Sequence, residues 1–440
     1  MIGEKKIVVM VLEGMEKKLL QQMIKMGYLN NLKSLLEKQG GNLTSTKVPY
    51  ESSAMQTAFT GYREGEHGIF SCWKVHNYDY LPEVIDSVDL DKKYIWQLNE
   101  FANKRFAVIN IIGTHKPYKI NGYMLTYLFQ QSLHACYPDS LIRDLSKKGL
   151  GVGHDVSAFY HGEERKKFLE KVFQIERLRS NVALELLKDV DIEIVNFTIL
   201  DRLSHYYWQE LTSEVFPSVE KTALFEGYTF IDEIIGSYLE VLNEKSDMFI
   251  FSDYGFGDLR EFVSINSYLE KAGFLKYKSD KTVDWQNTKA FESVQGTHGV
   301  NINLFGQYRY GNVPKSEYNS IRKEVADCLR DIINPKTGIH YCKEVLYGED
   351  YYPGNNARKA PDLMIEPLDY RYLPLGDQFW SRHVFRNYQS GWHRREGFWT
   401  GAGNTLDGIH KDCSILDVTP TIFRLAEKNI PSFLSGKSIV

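Results

Sequence analysis

Four short apolar runs, Ile7–Leu12, Phe106–Ile112, Ile192–Ile199 and Met248–Ser252, constrain the fold of this chain more than any other feature. Each is rich in Val, Ile, Leu, Phe or Met with little alternation, the pattern of a strand buried on both faces. Helical patterns lie between them, over Glu16–Met26, Leu32–Lys38, Glu163–Leu187 and Phe225–Leu242. Strands alternating with helices predict an α/β fold with a mostly parallel central sheet covered on both faces.

Two stretches break this rhythm. Residues 71–162 hold loops, many aromatics and one clear strand, and residues 259–390 hold a short strand (Val300–Leu304), a helix (Lys315–Ile333) and the segment YGEDYYPGNNARKAPD. The expectation is therefore a single domain over 1–440, with a core of 1–70, 100–115, 185–258 and 391–440 and rim insertions at about 71–162 and 259–390. The core closes with Glu396–Gly401 and a helix around Ile415–Ala426.

Composition narrows the function classes. A formal net charge of −4 gives no basic face, so a nucleic-acid polymer is not an expected partner. No apolar stretch is long enough to span a bilayer, and the N-terminal MIGEKKIVVMVLEG reads as a first strand rather than a signal peptide. Five scattered cysteines without a CxxC argue against a disulfide framework, which points to a reduced, cytoplasmic chain.

The chemistry gathers where strands end. NFTILDRLSHYYW places Asp201 and His205 four residues apart, on one face of a helix that follows a buried strand. A carboxylate and an imidazole at that spacing can grip one metal ion. VVMVLEGM puts Glu13 at the tip of the first strand, FIFSDYGFG puts Asp253 at the tip of the fourth, and GWHRREGFWTGAG puts His393 before another. Like charges converging on one sheet edge are costly unless cations occupy it.

These segments, with AFTGYREGEHGIF and the tail ILDVTPTIFRLAEKNIPSFLSGKSI, resemble the alkaline phosphatase superfamily, specifically its type I phosphodiesterase/nucleotide pyrophosphatase branch. The resemblance implies a three-layer alkaline-phosphatase-like sandwich holding two divalent ions, usually zinc, and acting on a small anionic substrate. A Thr or Ser nucleophile attacks phosphorus while the ions clamp the reacting oxygens. Carried over, one metal site is intact: Asp201, His205 and His393. The second departs from the pattern. Glu13 and Tyr254 stand where the family has Asp and His, beside a retained Asp253, and the nucleophile position aligns with Glu51 in KVPYESSAMQTAFTG.

Three readings follow from Glu51. A metal-activated water attacks the ester directly; or the loop has slipped and Ser52 is the nucleophile; or the site, with four carboxylates and two histidines, has been converted to other di-metal chemistry. Oxygen-rich ligation of that kind favours manganese or iron over zinc. A non-catalytic, ligand-binding relative is the remaining alternative, against which the retained carboxylates argue. His298, in QGTHGVNINLFG, could supply the imidazole that Tyr254 lacks. Arg394 and Tyr254 are candidate substrate contacts, since a guanidinium fork suits an anionic group. Substrate identity and oligomeric state are not encoded in any readable motif.

Overall fold

The structure is a computed structural model that describes residues 4–129, 132–158, 160, 162–215, 218–376 and 389–440. The chain divides into two compact units, residues 1–62, 86–258 and 388–440, and residues 63–85 and 259–387. Residues 100–115, expected in the core, lie in the first unit, and so does the rest of 86–162, expected as rim insertion.

The first unit is built on β1 (Ile7–Leu12), β2 (Gly41–Thr44), β3 (Phe106–Ile109), β4 (Gly122–Leu125), β5 (Cys136–Tyr137), β6 (Ile192–Phe197), β7 (Asp247–Phe251), β8 (Gly255–Asp258), β9 (Gly391–Arg394), β10 (Glu396–Ala402) and β11 (Cys413–Ser414). Nine of these form one sheet in the order β11-β2-β10-β7-β1-β6-β3-β4-β5, and β8 pairs with β9 separately. The central strands β7, β1, β6, β3 and β4 are mutually parallel.

Alternation along β1 shows why this sheet needs cover on both sides. Val8, Met10 and Leu12 face one apolar cluster. Ile7, Val9 and Val11 face another. The first cluster takes in the buried faces of α1 (Lys17–Lys25), α2 (Asn30–Lys38), a long helix α4 (Arg165–Leu186) and α6 (Ala223–Val241). The second takes in α3 (Glu51–Thr60) and the C-terminal α7 (Val418–Leu425). Helix, sheet and helix thus make the three layers of an alkaline-phosphatase-like α/β sandwich. Helix α5 (Ile199–Tyr207) follows β6 directly and stands at the carboxyl end of the parallel strands.

The second unit carries its own core and a four-stranded antiparallel sheet in which Gly299–Ile302 lies between Ala290–Glu292 and Leu363–Pro367. The expected helix there runs over Tyr318–Arg330. Among the described residues no helix is long and apolar enough to cross a membrane. All five cysteines are free thiols.

One core residue makes stability depend on pH. Glu193 projects from β6, accepts a 2.6 Å hydrogen bond from Tyr238 Oη through Oε1, and leaves Oε2 buried without a partner. Burial pushes its carboxyl up to about 8 from an ordinary 4.5, with the Tyr238 bond opposing. Between those two values the folded chain holds a proton that the unfolded chain releases, so stability falls as pH rises through this window. Glu193→Gln should leave the denaturation midpoint nearly unchanged below pH 4.5 and gain on the order of a few kcal/mol near pH 8, read by urea melts at both.

Candidate metal centre

Asp201 and His205 meet because α5 begins at Ile199 and carries them one turn apart on its buried face. The start of that helix is fixed by a buried ionic cluster. Thr198, its N-cap, donates through Oγ1 to Asp155 at 2.6 Å and through its amide to Glu176 at 2.8 Å. Arg179 ties those two carboxylates together, at 2.7 Å to Asp155 and 2.5 Å to Glu176. His393 comes from β9, where it stands opposite Phe256 of β8. Gly14 allows the close approach: its φ is +74°, and an added Cβ would lie 2.7 Å from Phe256 and 3.1 Å from Asp201 Cα.

The three side chains converge. His393 Nε2 lies 3.1 Å from Asp201 Oδ1 and 3.1 Å from His205 Nε2, and His205 Nε2 lies 3.3 Å from Asp201 Oδ1. All three residues are buried. A tetrahedral shell with bonds of about 2.0 Å has edges of about 3.3 Å, so the spacing fits the coordination shell of a zinc-like ion. The far nitrogens decide the tautomers. His205 Nδ1 faces the Gly391 carbonyl at 3.1 Å, and His393 Nδ1 faces the Pro49 carbonyl at 3.0 Å. A carbonyl only accepts, so each Nδ1 carries a proton, and the neutral form of each ring turns an Nε2 lone pair inward. Two such lone pairs and a carboxylate oxygen then point at one another. One proton satisfies one edge of that triangle; a cation satisfies all three. Among the described residues this is the one group of three such donors within 4.8 Å of one another.

Aromatic rings confine the imidazoles. Tyr254 stacks on His393 with centroids 4.0 Å apart, and Phe256 meets His205 edge-on at 5.0 Å. Burial would push the Asp201 carboxyl up, but His205, His393 and Arg202 outweigh it and hold the group well below the usual carboxylate range.

The residues expected at a second ion are arranged differently. Continuing the β1–β7 register by two residues sets Glu13 beside Asp253. Glu13 Oε2 accepts from Asn196 at 2.6 Å, while Glu13 Oε1 and Asp253 Oδ2 are buried with no hydrogen-bond partner. Burial first, and then the charges of Asp201 and of each other, push Glu13 well above the usual range. Burial and the charge of Asp201 do the same to Asp253. The donor chemistry suits an oxygen-seeking cation, but Glu13, Glu51 and Asp253 do not close into a ligand set as the first three do. Tyr254 is fully buried and donates its hydroxyl to Asp201 Oδ1 at 3.1 Å. Burial and the Asp201 charge push its phenol well up, so it serves as a hydrogen-bond donor to the Asp201 carboxylate and not as a phenolate.

Glu51 is the first residue of α3 and half-buried; Pro49 and Tyr50 just before it touch His393 through a carbonyl and a ring 5.7 Å away. Ser52 is fully buried, and no base is hydrogen-bonded to its Oγ. Arg394, expected to face substrate, spends its guanidinium on the carbonyls of Trp392, His393 and Asp258. His298 belongs to the second unit, where it precedes the strand Gly299–Ile302 with φ +54° and accepts from the Ile365 amide. Sequence reasoning did not find Arg202, which donates to Asp201 Oδ2 at 2.8 Å, because a basic residue next to a helical ligand carries no signal of its direction. The Asp155–Arg179–Glu176 cluster escaped for a similar reason: Glu176 and Arg179 sit three residues apart, a spacing that reads as a solvated surface pair.

The sequence profile of the type I phosphodiesterase/nucleotide pyrophosphatase family matches residues 7–393. The chain belongs to that family. Its members hydrolyse phosphate esters, and this phosphodiesterase-family chain is an enzyme of that class. No curated protein matches it in sequence. Among solved structures, an alkaline phosphatase, PafA, is 12% identical with a TM-score of 0.66, covering 100% of this chain and 99% of its own. Murine ectonucleotide pyrophosphatase/phosphodiesterase 5 is 12% identical with a TM-score of 0.57, covering 97% and 96%. Phosphonoacetate hydrolase from Sinorhizobium meliloti is 14% identical with a TM-score of 0.54, covering 90% and 89%. At such identities these likenesses speak for the fold of this phosphodiesterase-family chain.

Proposed function

We propose that this chain is a metal-dependent hydrolase of a small phosphate ester or diester, in which water and not a side chain attacks phosphorus. The observation that carries this reading is the triangle of Asp201, His205 and His393, with both Nδ1 protons committed to backbone carbonyls. Asp201, His205 and His393 would hold a divalent ion, whose chemistry when bound would be Lewis acidity toward a phosphoryl oxygen and toward water. Glu51 stands at the first position of α3, where the helix dipole favours negative charge. A carboxylate there cannot become an alkoxide nucleophile, but it can accept the proton of an attacking water. One P–O bond forms to water as the ester P–O bond breaks; the leaving oxygen takes a proton from solvent to depart as the alcohol, and Glu51 returns its proton to solvent. No phospho-enzyme forms.

The substrate is proposed to be a small phosphate-bearing molecule. An inactive variant of murine ectonucleotide pyrophosphatase/phosphodiesterase 5 was solved in complex with AMP, and the Sinorhizobium enzyme with phosphonoacetate. A second reading draws on the partnerless oxygens of Glu13 and Asp253. With Tyr254 in place of a histidine, any second ion here has oxygen ligands only, which favours manganese, iron or another hard cation over a second zinc.

Stereochemistry tests the central step. A nitrophenyl phosphodiester made chiral at phosphorus by sulfur substitution should be hydrolysed in heavy-oxygen water with inversion, as one displacement requires. Retention would mean two displacements and a covalent intermediate, and would return the nucleophile to Ser52 or another side chain.

A further inference from the structure

The two oxygens of Asp201 have separate employers. Oδ1 faces the imidazoles and the Tyr254 hydroxyl, whereas Oδ2 accepts from Arg202 Nη1 at 2.8 Å. The other end of the guanidinium is anchored too: Arg202 Nη2 donates to Tyr127 Oη at 2.6 Å. Tyr127 follows β4 by two residues, is 2% exposed, and is braced edge-on by Phe129 at 4.9 Å.

A carboxylate can ligate an ion through one oxygen or through both. A charge-assisted bond to Oδ2 withholds that oxygen from chelation. We propose that Arg202 is a positioning residue for the metal centre. It restricts Asp201 to ligation through Oδ1, and so keeps the fourth position of a three-ligand ion open for substrate. This role rests on the reading of Asp201, His205 and His393 as a cation site. Arg202 acts through Asp201 and the rigid Tyr127 anchor, not by touching the reacting atoms.

Cobalt(II) is the probe, because its visible bands are intense when it is four-coordinate and weaken when a fifth ligand arrives. The 440-residue chain is loaded with one equivalent of cobalt, and absorbance is normalised to bound metal. Wild type should give intense bands, and Arg202→Lys, which keeps a donor for Oδ2, should retain them. Arg202→Met should lose about half the intensity or more per bound cobalt as Oδ2 turns to the ion. Wild-type bands in Arg202→Met at full cobalt content would overturn the role, as would equal loss in the lysine variant. Should the methionine variant fail to fold by circular dichroism, Tyr127→Phe, which cuts the anchor and leaves the charge, is read against the same two outcomes. Bands that survive in His205→Ala would overturn the cation site itself, and with it Arg202's part, a failure visible apart from the Arg202 series.

Discussion

His393→Ala yields a folded protein that has lost its tightly held ion and nearly all activity. His393 supplies one of three donors, and its ring is clamped by the Pro49 carbonyl at 3.0 Å and the face of Tyr254. Zinc sites bound by about four ligands are worth roughly 10–16 kcal/mol, so one lost ligand costs roughly 3 kcal/mol, or about two orders of magnitude in affinity. Transition-state charge stabilisation by a bound ion is worth several kcal/mol, and about 4 kcal/mol corresponds to roughly a thousandfold in rate. Competition with a zinc-binding dye reads the first number and hydrolysis of a nitrophenyl phosphodiester the second. A thermal melt keeps both from being confused with unfolding, because the substitution also opens a small cavity and strands a carbonyl acceptor. His205→Ala should behave alike. A variant that keeps both zinc and rate would remove the triad from the chemistry.

Glu51 is the second position where a large effect is expected. Glu51→Gln preserves the shape and removes the basicity, and should lower kcat by roughly 10²–10⁴-fold while metal content stays at the wild-type value. Glu51→Thr separates two histories of the site. If the loop Lys47–Tyr50 and the start of α3 still present this position to phosphorus, threonine at this site should give a covalent phosphate trapped by acid quench and seen by mass spectrometry. Should Glu51→Gln remain fully active, water activation must be assigned elsewhere. An inert threonine variant that still holds metal would mean that Glu13 and Tyr254 have moved the site beyond one-residue repair.

Much of this centre was legible in the sequence because its logic is local. A helix period carries Asp201 to His205, and apolar runs mark the strands whose carboxyl ends bring Glu13, Asp253 and α5 together. The expected strand over Ile192–Ile199 stops at Phe197, because Thr198 turns to cap the helix under the pull of Asp155 and Glu176. What escaped was long-range. β3 was visible as the apolar run from Phe106, but β4 and β5 are only four and two residues long, too short for periodicity to register, and so the segment that carries them read as insertion although both strands extend the main sheet. Arg202 and Arg394 were equally unreadable. Both are basic residues next to a ligand, and only the fold directs one to a carboxylate and the other to three backbone carbonyls. Tyr254 shows the same limit: its place after Asp253 was visible, its bond to Asp201 was not.

The most direct measurement is anomalous diffraction at the zinc absorption edge from crystals of the zinc-saturated protein. The account predicts a strong peak about 2.0 Å from Asp201 Oδ1, His205 Nε2 and His393 Nε2, with Arg202 still on Asp201 Oδ2. A map without a peak at that point, with the two imidazoles turned away from Asp201, would contradict it.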